Sequence, residues 1–344
     1  MGVESMNEEI LVNDYRNGIL ENIHPGHICG IDANEEVKYT VGNARHLTFL
    51  RSAFKPIQAI PVIAHKVQEH FKLTNRETAL IAASHRGEDF HLEELKKLMD
   101  KIGVAEDELL CHPTYPLNPG AKDAMLKDNQ PKRRLCHNCS GKHLGMIALA
   151  KVLGVSTEGY YEPEHPAQQE ILKALSTVSG CNIAEISIGV DGCGVPVYAL
   201  PLQSIANVYL RFARPELIAD QTIREAVVAI SSLMNENPEI ISGTDAICTN
   251  LLMDKNIVAK GGAQGVYCFG LKDEKFGFAL KVMDGTEEQW PLIVATILEQ
   301  IDYKNKQTIQ RLYQISHKDI YNDNDKLVGN KEAVFHLAGI KWGV

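Results

Sequence analysis

The order of hydrophobic patterns predicts an α/β plus α fold, a mixed-sheet domain interleaved with a helical domain. Three observations carry this. Strand-like segments open the chain, the stretch from about Pro56 to Ala213 reads mostly as helix by apolar spacing and caps, and strand-like segments return from Ile257. With 344 residues the chain exceeds the size at which a single core usually suffices. No repeat, low-complexity run or Pro/Gly/Ser linker divides it into serial domains, so the two domains are expected to share the chain discontinuously.

Each element has its own signal. Ile28 to Asp32 and Val37 to Val41 flank the turn-prone Ala33-Asn34, which predicts an early hairpin. Pro56 fits a helix only in the first turn, so the pattern Ile57, Ile60, Ala64 predicts a helix starting next to Ser52. Thr74-Asn75-Arg76-Glu77 is a capping box before Ala79 to Ala83, and Leu92, Leu95, Leu98, Met99 and Ile102 keep helical spacing up to Gly103. Ser84-His85-Arg86-Gly87-Glu88 then reads as a polar helix C-terminus with Gly87 near the cap. Ile186 to Val190 predicts a buried strand entering the loop Asp191 to Pro196, and Pro215 to Met234 one long helix. Ile257 to Lys260 and Gly265 to Leu271 predict strands, followed by Phe276, Phe278, Leu280 and Val282 in alternation after the turn Lys272 to Lys275.

Composition narrows the function. Hydrophobic residues make up 44% of the chain, enough for a sizeable core, and the net charge of −9 without a basic stripe excludes nucleic acid as a partner. No run of about 18 apolar residues spans a bilayer, and Met1 to Ile10 lacks a basic segment ahead of an apolar one, so a cytoplasmic location is expected. Eight cysteines in such a chain read as thiols or metal ligands.

Four clusters carry chemistry. His137-Asn138-Cys139-Ser140-Gly141-Lys142-His143 opens the apolar run Leu144 to Leu153, and Cys139 and Lys142, three apart, share a helical face. Read locally, Ser140 would cap this helix and Cys139 would be a small buried hydrophobe. Arg51-Ser52-Ala53-Phe54-Lys55 is an S-x-x-K motif: a lysine whose pKa is lowered by burial can take the serine's proton. Taken alone, such a motif reads rather as a capping serine beside a solvated lysine. Ser84 to Glu88 is the third cluster. Lys260-Gly261-Gly262-Ala263-Gln264-Gly265 is the fourth, with glycines that admit a ligand close to the backbone or form a bulge.

In order and content, Arg51 to Ala59, Ser84 to Glu88, His137 to His143, Asp191-Gly192-Cys193-Gly194-Val195-Pro196 and Lys260 to Gly265 resemble the rhizobial-type L-asparaginases, the thermolabile, inducible asparaginase II group. The resemblance covers roughly Ile28 to Gly285; the tail beyond carries no matching motif. It implies a serine β-lactamase/glutaminase-like fold and a homodimer, with residues 1–51 and 183–344 as the α/β domain and 52–182 as the helical one. It implies a catalytic Ser52/Lys55 pair and a second pair of Ser84 with Lys260, Lys281 being the competing distal lysine. It further implies one zinc on Cys139, Lys142 and Cys193 with a water, Asp191 close by. Two departures, Asn22 to Gly26 and Gln264 in place of Glu, bear on substrate recognition.

Zinc is consistent with the donors themselves. Cys-x-x-Lys has the reach of Cys-x-x-Cys, and Cys193 sits in a Gly-flanked loop that permits close approach. A lysine ligand must be neutral, so the metal has to displace its proton. His137 and His143 are expected to hydrogen-bond the ligands from behind or to replace one of them, and Cys136 to pack in the core. The expected reaction is hydrolysis of L-asparagine to L-aspartate and ammonia through an acyl-Ser52, with Ser84 the rival nucleophile. Arg51, His143, Asp191 or the zinc would hold the substrate's charged groups. The competing expectations are a zinc-hydroxide amidohydrolase, a glutaminase acting on a related amide, and a non-catalytic amino-acid-binding or thiol redox protein.

Overall fold

The computed structural model describes residues 8–339; Met1 to Asn7, on which part of the leader reading falls, lie outside the described residues. The described residues form two compact units, 8–53, 200–213 and 259–339 in one and 54–199 and 214–258 in the other. The interleaving expected from the pattern is present with different bounds. Residues 183–199 and 214–258 belong with the helices, and Ser52 belongs with the sheet.

In the sheet unit the strands run in the spatial order Asp319–Tyr321, Leu327–Ala333, Glu9–Arg16, Ile19–Ile31, Phe276–Val282, Val266–Leu271, Ile257–Gly261, with Val37–Val41 also paired to Ile19–Ile31. The early hairpin has the register Ile28 to Val41 and Cys29 to Thr40, and the later one pairs Val266 with Lys281 and Leu271 with Phe276. Both are antiparallel, as tight turns require. The tail without motifs completes the sheet, since Leu327–Ala333 pairs with Glu9–Arg16 from Val12 opposite Ala333. The Leu202–Ala213 helix buries Ile205, Ala206, Tyr209 and Phe212 at helical spacing. It packs against the Phe276–Val282 strand. Gly277 is needed there, because a Cβ would stand 2.2 Å from the Ala206 carbonyl oxygen.

In the helical unit the Lys55–Ala64 helix is central, in contact with Ser140–Val152, Pro166–Ser179 and Gln221–Glu236. Eight of its residues from Lys55 to Val62 are buried, so it is enclosed nearly all round. That packing explains why the segment 214–258 joins this unit. Thr74 makes the expected capping box with Glu77, and Gly103 takes the left-handed conformation that ends Asp89–Ile102.

Several local expectations are corrected. Pro215 to Met234 is a short 3-10 turn, Pro215–Leu217, followed by a helix Gln221–Glu236 whose start is set by Asp220 accepting from the Ile223 amide. Ser84 to Glu88 is no helix end: the helical turn stops at Ala82, Ala83 is extended, and the Ser84 amide donates to Ile241 O. Glu88 instead precedes the next helix and binds Thr244. Ser140 is the first helical residue rather than the cap, its hydroxyl donating to Leu135 O. The Ser187–Val190 strand is exposed, with Ile188 at 53% and Val190 at 78%, because it pairs on only one side within this unit, with Pro196 to Ala199.

Helix Ser140–Val152 meets the Leu80–Ala82 turn through Gly141 and Gly145. A Cβ at Gly141 would lie 2.2 Å from the Leu80 carbonyl oxygen. Alanine normally favours a helix over glycine by about 1 kcal/mol. Here the backbone clash outweighs that gain, and Gly141→Ala is expected to destabilise the fold by about 2–3 kcal/mol in urea unfolding. An unchanged or higher midpoint would show that the two segments separate without cost.

Candidate active site

The helical unit gathers most of the predicted residues. Lys55 is fully buried at the start of its helix, and its Nζ lies 2.9 Å from Ser84 Oγ while donating to Asn138 O at 2.8 Å. Three segments that are far apart in sequence therefore meet at one amine. Asn138 O is held by the turn that opens the Ser140–Val152 helix, where the Cys139 amide donates to His137 Nδ1 at 3.1 Å. Next to it, donor atoms of Cys139, Asp191 and Cys193 lie within 4.8 Å of one another. Lys142 Nζ donates to Asp191 Oδ2 at 3.2 Å, and Cys193 Sγ lies 3.7 Å from the same oxygen. The loop holding Cys193 is closed by Asp191 N to Val195 O and Gly194 N to Asp191 O. Gly194 has φ +92°, a conformation that other residues rarely adopt.

The charges in this cluster are interdependent. A hydrogen bond from Cys193 pulls the Cys139 thiol well below its usual range, against burial and with help from the Lys142 and Lys55 amines. Cys193, which keeps the proton, is pushed up correspondingly. Burial opposes charge on Lys142, but Cys139, Cys193 and Asp191 together outweigh burial and raise its pKa. The site is therefore a buried cluster in which charges of opposite sign offset the cost of burial for one another. Two sulfurs, a carboxylate and an amine in such a setting form a donor set suited to zinc, provided the amine gives up its proton.

His143 does not supply positive charge. It is fully buried, its pKa is pushed down to about 3 mainly by burial, and its Nδ1 lies 2.7 Å from the Tyr160 hydroxyl. That hydroxyl accepts from the Leu110 amide at 2.9 Å. The neutral ring thus ties the Cys139 helix to a neighbouring loop, and the expectation of His143 as a carboxylate-binding cation is corrected. His85 is likewise held neutral by burial, then by His91 and Lys55, and its Nε2 meets Ser140 Oγ at 2.8 Å.

In the sheet unit, Ser52 is buried in the 3-10 turn Arg51–Phe54 that runs directly into the Lys55 helix. The turn is anchored by Tyr209, whose hydroxyl donates to Ala53 O at 2.8 Å. Arg51 has φ +50°, the left-handed region, a local cost of about 1–2 kcal/mol borne immediately before the serine. Lys260 is 1% exposed and donates to Gly261 O at 2.8 Å. Lys281 donates to Val282 O at 3.0 Å and to Gln264 O, and burial lowers its pKa, with Arg51 adding to the effect and Asp284 opposing it.

Asn138 O, His85 and Tyr160 carry structural weight that motif reading did not assign. The first contributes a backbone atom, which no side-chain pattern reveals. Tyr160 lies in a loop with no periodic or motif signal.

The family profile described as L-asparaginase II matches residues 12–333. No curated protein sequence shows significant similarity to the chain. Among solved structures, the chain is similar to a putative β-lactamase from Bacteroides dorei at 13% identity and TM-score 0.45, covering 80% of this chain and 92% of that one. It is also similar to a Bacillus glutaminase at 12% identity and TM-score 0.38, covering 81% and 92%.

Two of the buried histidines make stability depend on pH. His91 and His143 are depressed to about 4 and about 3 by burial, so an unfolded chain, with histidine near 6.5, binds more protons in between. The sign follows: stability is full above about pH 6.5 and falls as the pH drops toward 4, by a few kcal/mol in total. Urea midpoints at pH 7.5, 6 and 5 should decrease in that order, each His→Gln variant flattening the slope. A midpoint that rises on acidification would contradict the burial of these rings.

Proposed function

We propose a serine–lysine mechanism for this chain, which belongs to the L-asparaginase II family and is thus a hydrolase of linear amides that converts L-asparagine to L-aspartate and ammonia. The observation that supports the mechanism is the buried Lys55 amine beside Ser84 and Asn138 O. An amine that donates to a carbonyl keeps, when neutral, a lone pair able to receive a serine proton.

Ser52, three residues before Lys55, is the nucleophile in this reading. Its oxygen attacks the side-chain amide carbon while its proton passes to Lys55. The C–N bond breaks, ammonia leaves with a proton relayed through Ser84 and Lys260, and water then hydrolyses the acyl-serine. Arg51 and Asp191 bind the α-carboxylate and α-amino groups. A second reading exchanges the serines: the 2.9 Å contact of Lys55 with Ser84 Oγ supports Ser84 as the attacking group. Preference for asparagine over glutamine belongs to the same proposal.

Cys139, Lys142 and Cys193 would hold one zinc per chain, with Asp191 in reach. When bound, it would act as a Lewis acid that orients substrate beside the serines. The reading also takes the chain as a cytoplasmic homodimer. Among the described residues, no helix is long and apolar enough to cross a membrane.

Ammonia release from a panel of amides, with rapid quenching and peptide mapping, tests the mechanism. Ser52→Ala should lower turnover by at least about 10³-fold with an unchanged unfolding midpoint, and the trapped acyl group should map to Ser52. Acylation at Ser84 would exchange the two serines, and no acyl-serine at all would remove both. Lys55→Arg should abolish activity across the pH range, because guanidinium stays protonated. Elemental analysis should find about one zinc per chain, strongly reduced by Cys139→Ser or Cys193→Ser. Full zinc content in both variants would remove the sulfurs from its ligand set.

A further inference from the structure

The sheet unit holds a second polar cluster outside the residues assigned above. His24, on the Ile19–Ile31 strand, has only 12% of its side chain exposed. Its Nδ1 lies 2.5 Å from Asp284 Oδ2, and its Nε2 lies 3.1 Å from Asp14 Oδ2 and 3.2 Å from the Gln289 amide. Asp14 comes from the adjoining Glu9–Arg16 strand, and Gln289 immediately precedes the Trp290–Gln300 helix.

Two atoms of this cluster are anomalous. Gln289 is 1% exposed and Asp14 7%, yet Gln289 Oε1 and Asp14 Oδ1 are enclosed without a hydrogen-bond partner. Hydrogen bonding with the ring alone accounts for neither oxygen. A 180° turn of the Gln289 amide exchanges its oxygen and nitrogen, so the oxygen can face His24 Nε2. A carboxylate oxygen and an amide oxygen then both stand beside the same imidazole nitrogen. Donors about 2.1 Å from a common ion stand about 3.0–3.4 Å apart at octahedral to tetrahedral angles, as the 3.1 and 3.2 Å separations do. Asp284 on the other ring nitrogen is the partner that a metal-binding histidine characteristically has, fixing its tautomer and orientation.

We propose that His24 Nε2, the Asp14 carboxylate and the Gln289 amide oxygen bind a divalent cation, with Asp284 orienting the imidazole. The donor set lacks sulfur, which selects an ion of the Mn²⁺ class over the softer preference of the two-cysteine cluster. The ion would staple the first two strands to the start of the Trp290–Gln300 helix.

Mn²⁺ alone is the probe. The purified full chain, dialysed against a chelator, is titrated while free Mn²⁺ is read by electron paramagnetic resonance. One saturable Mn²⁺ per chain is expected, with nuclear modulation from one imidazole nitrogen and a rise in Tm. His24→Gln and Asp14→Asn should weaken binding at least about tenfold and Asp284→Asn by about tenfold or more, whereas Cys139→Ser should leave it unchanged. The wild-type chain decides the matter even where a variant does not fold: no saturable binding up to about millimolar Mn²⁺, or a bound ion without imidazole modulation, overturns the proposal. Full binding in both His24→Gln and Asp14→Asn, or its loss in Cys139→Ser, overturns it equally.

Discussion

The absence of a side chain at Gly141 is the constraint on which the arrangement of the helical unit rests. It lets the Ser140–Val152 helix lie directly on the Leu80 carbonyl, at a separation that a single methyl group would abolish. That contact fixes the start of the helix, with Asn138 and Cys139, beside the segment that carries Ser84. The Lys55 amine then has Ser84 Oγ and Asn138 O in place before any ligand arrives. A buried amine without such partners would pay heavily for its charge, so close packing and polar satisfaction are one requirement seen from two sides.

The histidines of this unit serve the same end by remaining neutral. His85 reaches Ser140 and His143 reaches Tyr160, and burial holds both rings below their ordinary pKa. They join the helix to its neighbours without adding positive charge beside Lys55 and Lys142. The charge that the cluster does hold is confined to the thiol pair, Lys142 and Asp191, where each group offsets the burial cost of another. In the sheet unit the corresponding device is backbone strain at Arg51, retained because Tyr209 pins the following turn through Ala53.

The amino-acid sequence by itself determined the family and its reaction, the alternation of strand and helix, the Thr74 capping box and the two hairpins, because these depend on residue types at short spacing. It also determined which residues are chemically equipped: S-x-x-K, the Cys139 and Lys142 pair, and the Cys193 loop. Tertiary structure decided what those residues touch. Sequence spacing puts Lys55 three residues after Ser52, and a contact across 29 positions brings Ser84 to the same amine. His143 looked like a charge donor beside Lys142, and only its enclosure made it neutral. Chain position puts segment 214–258 with the sheet, but its apolar face packs on the Lys55–Ala64 helix. Backbone acceptors such as Asn138 O, and burial itself, come into being only when distant segments pack. No local pattern encodes them.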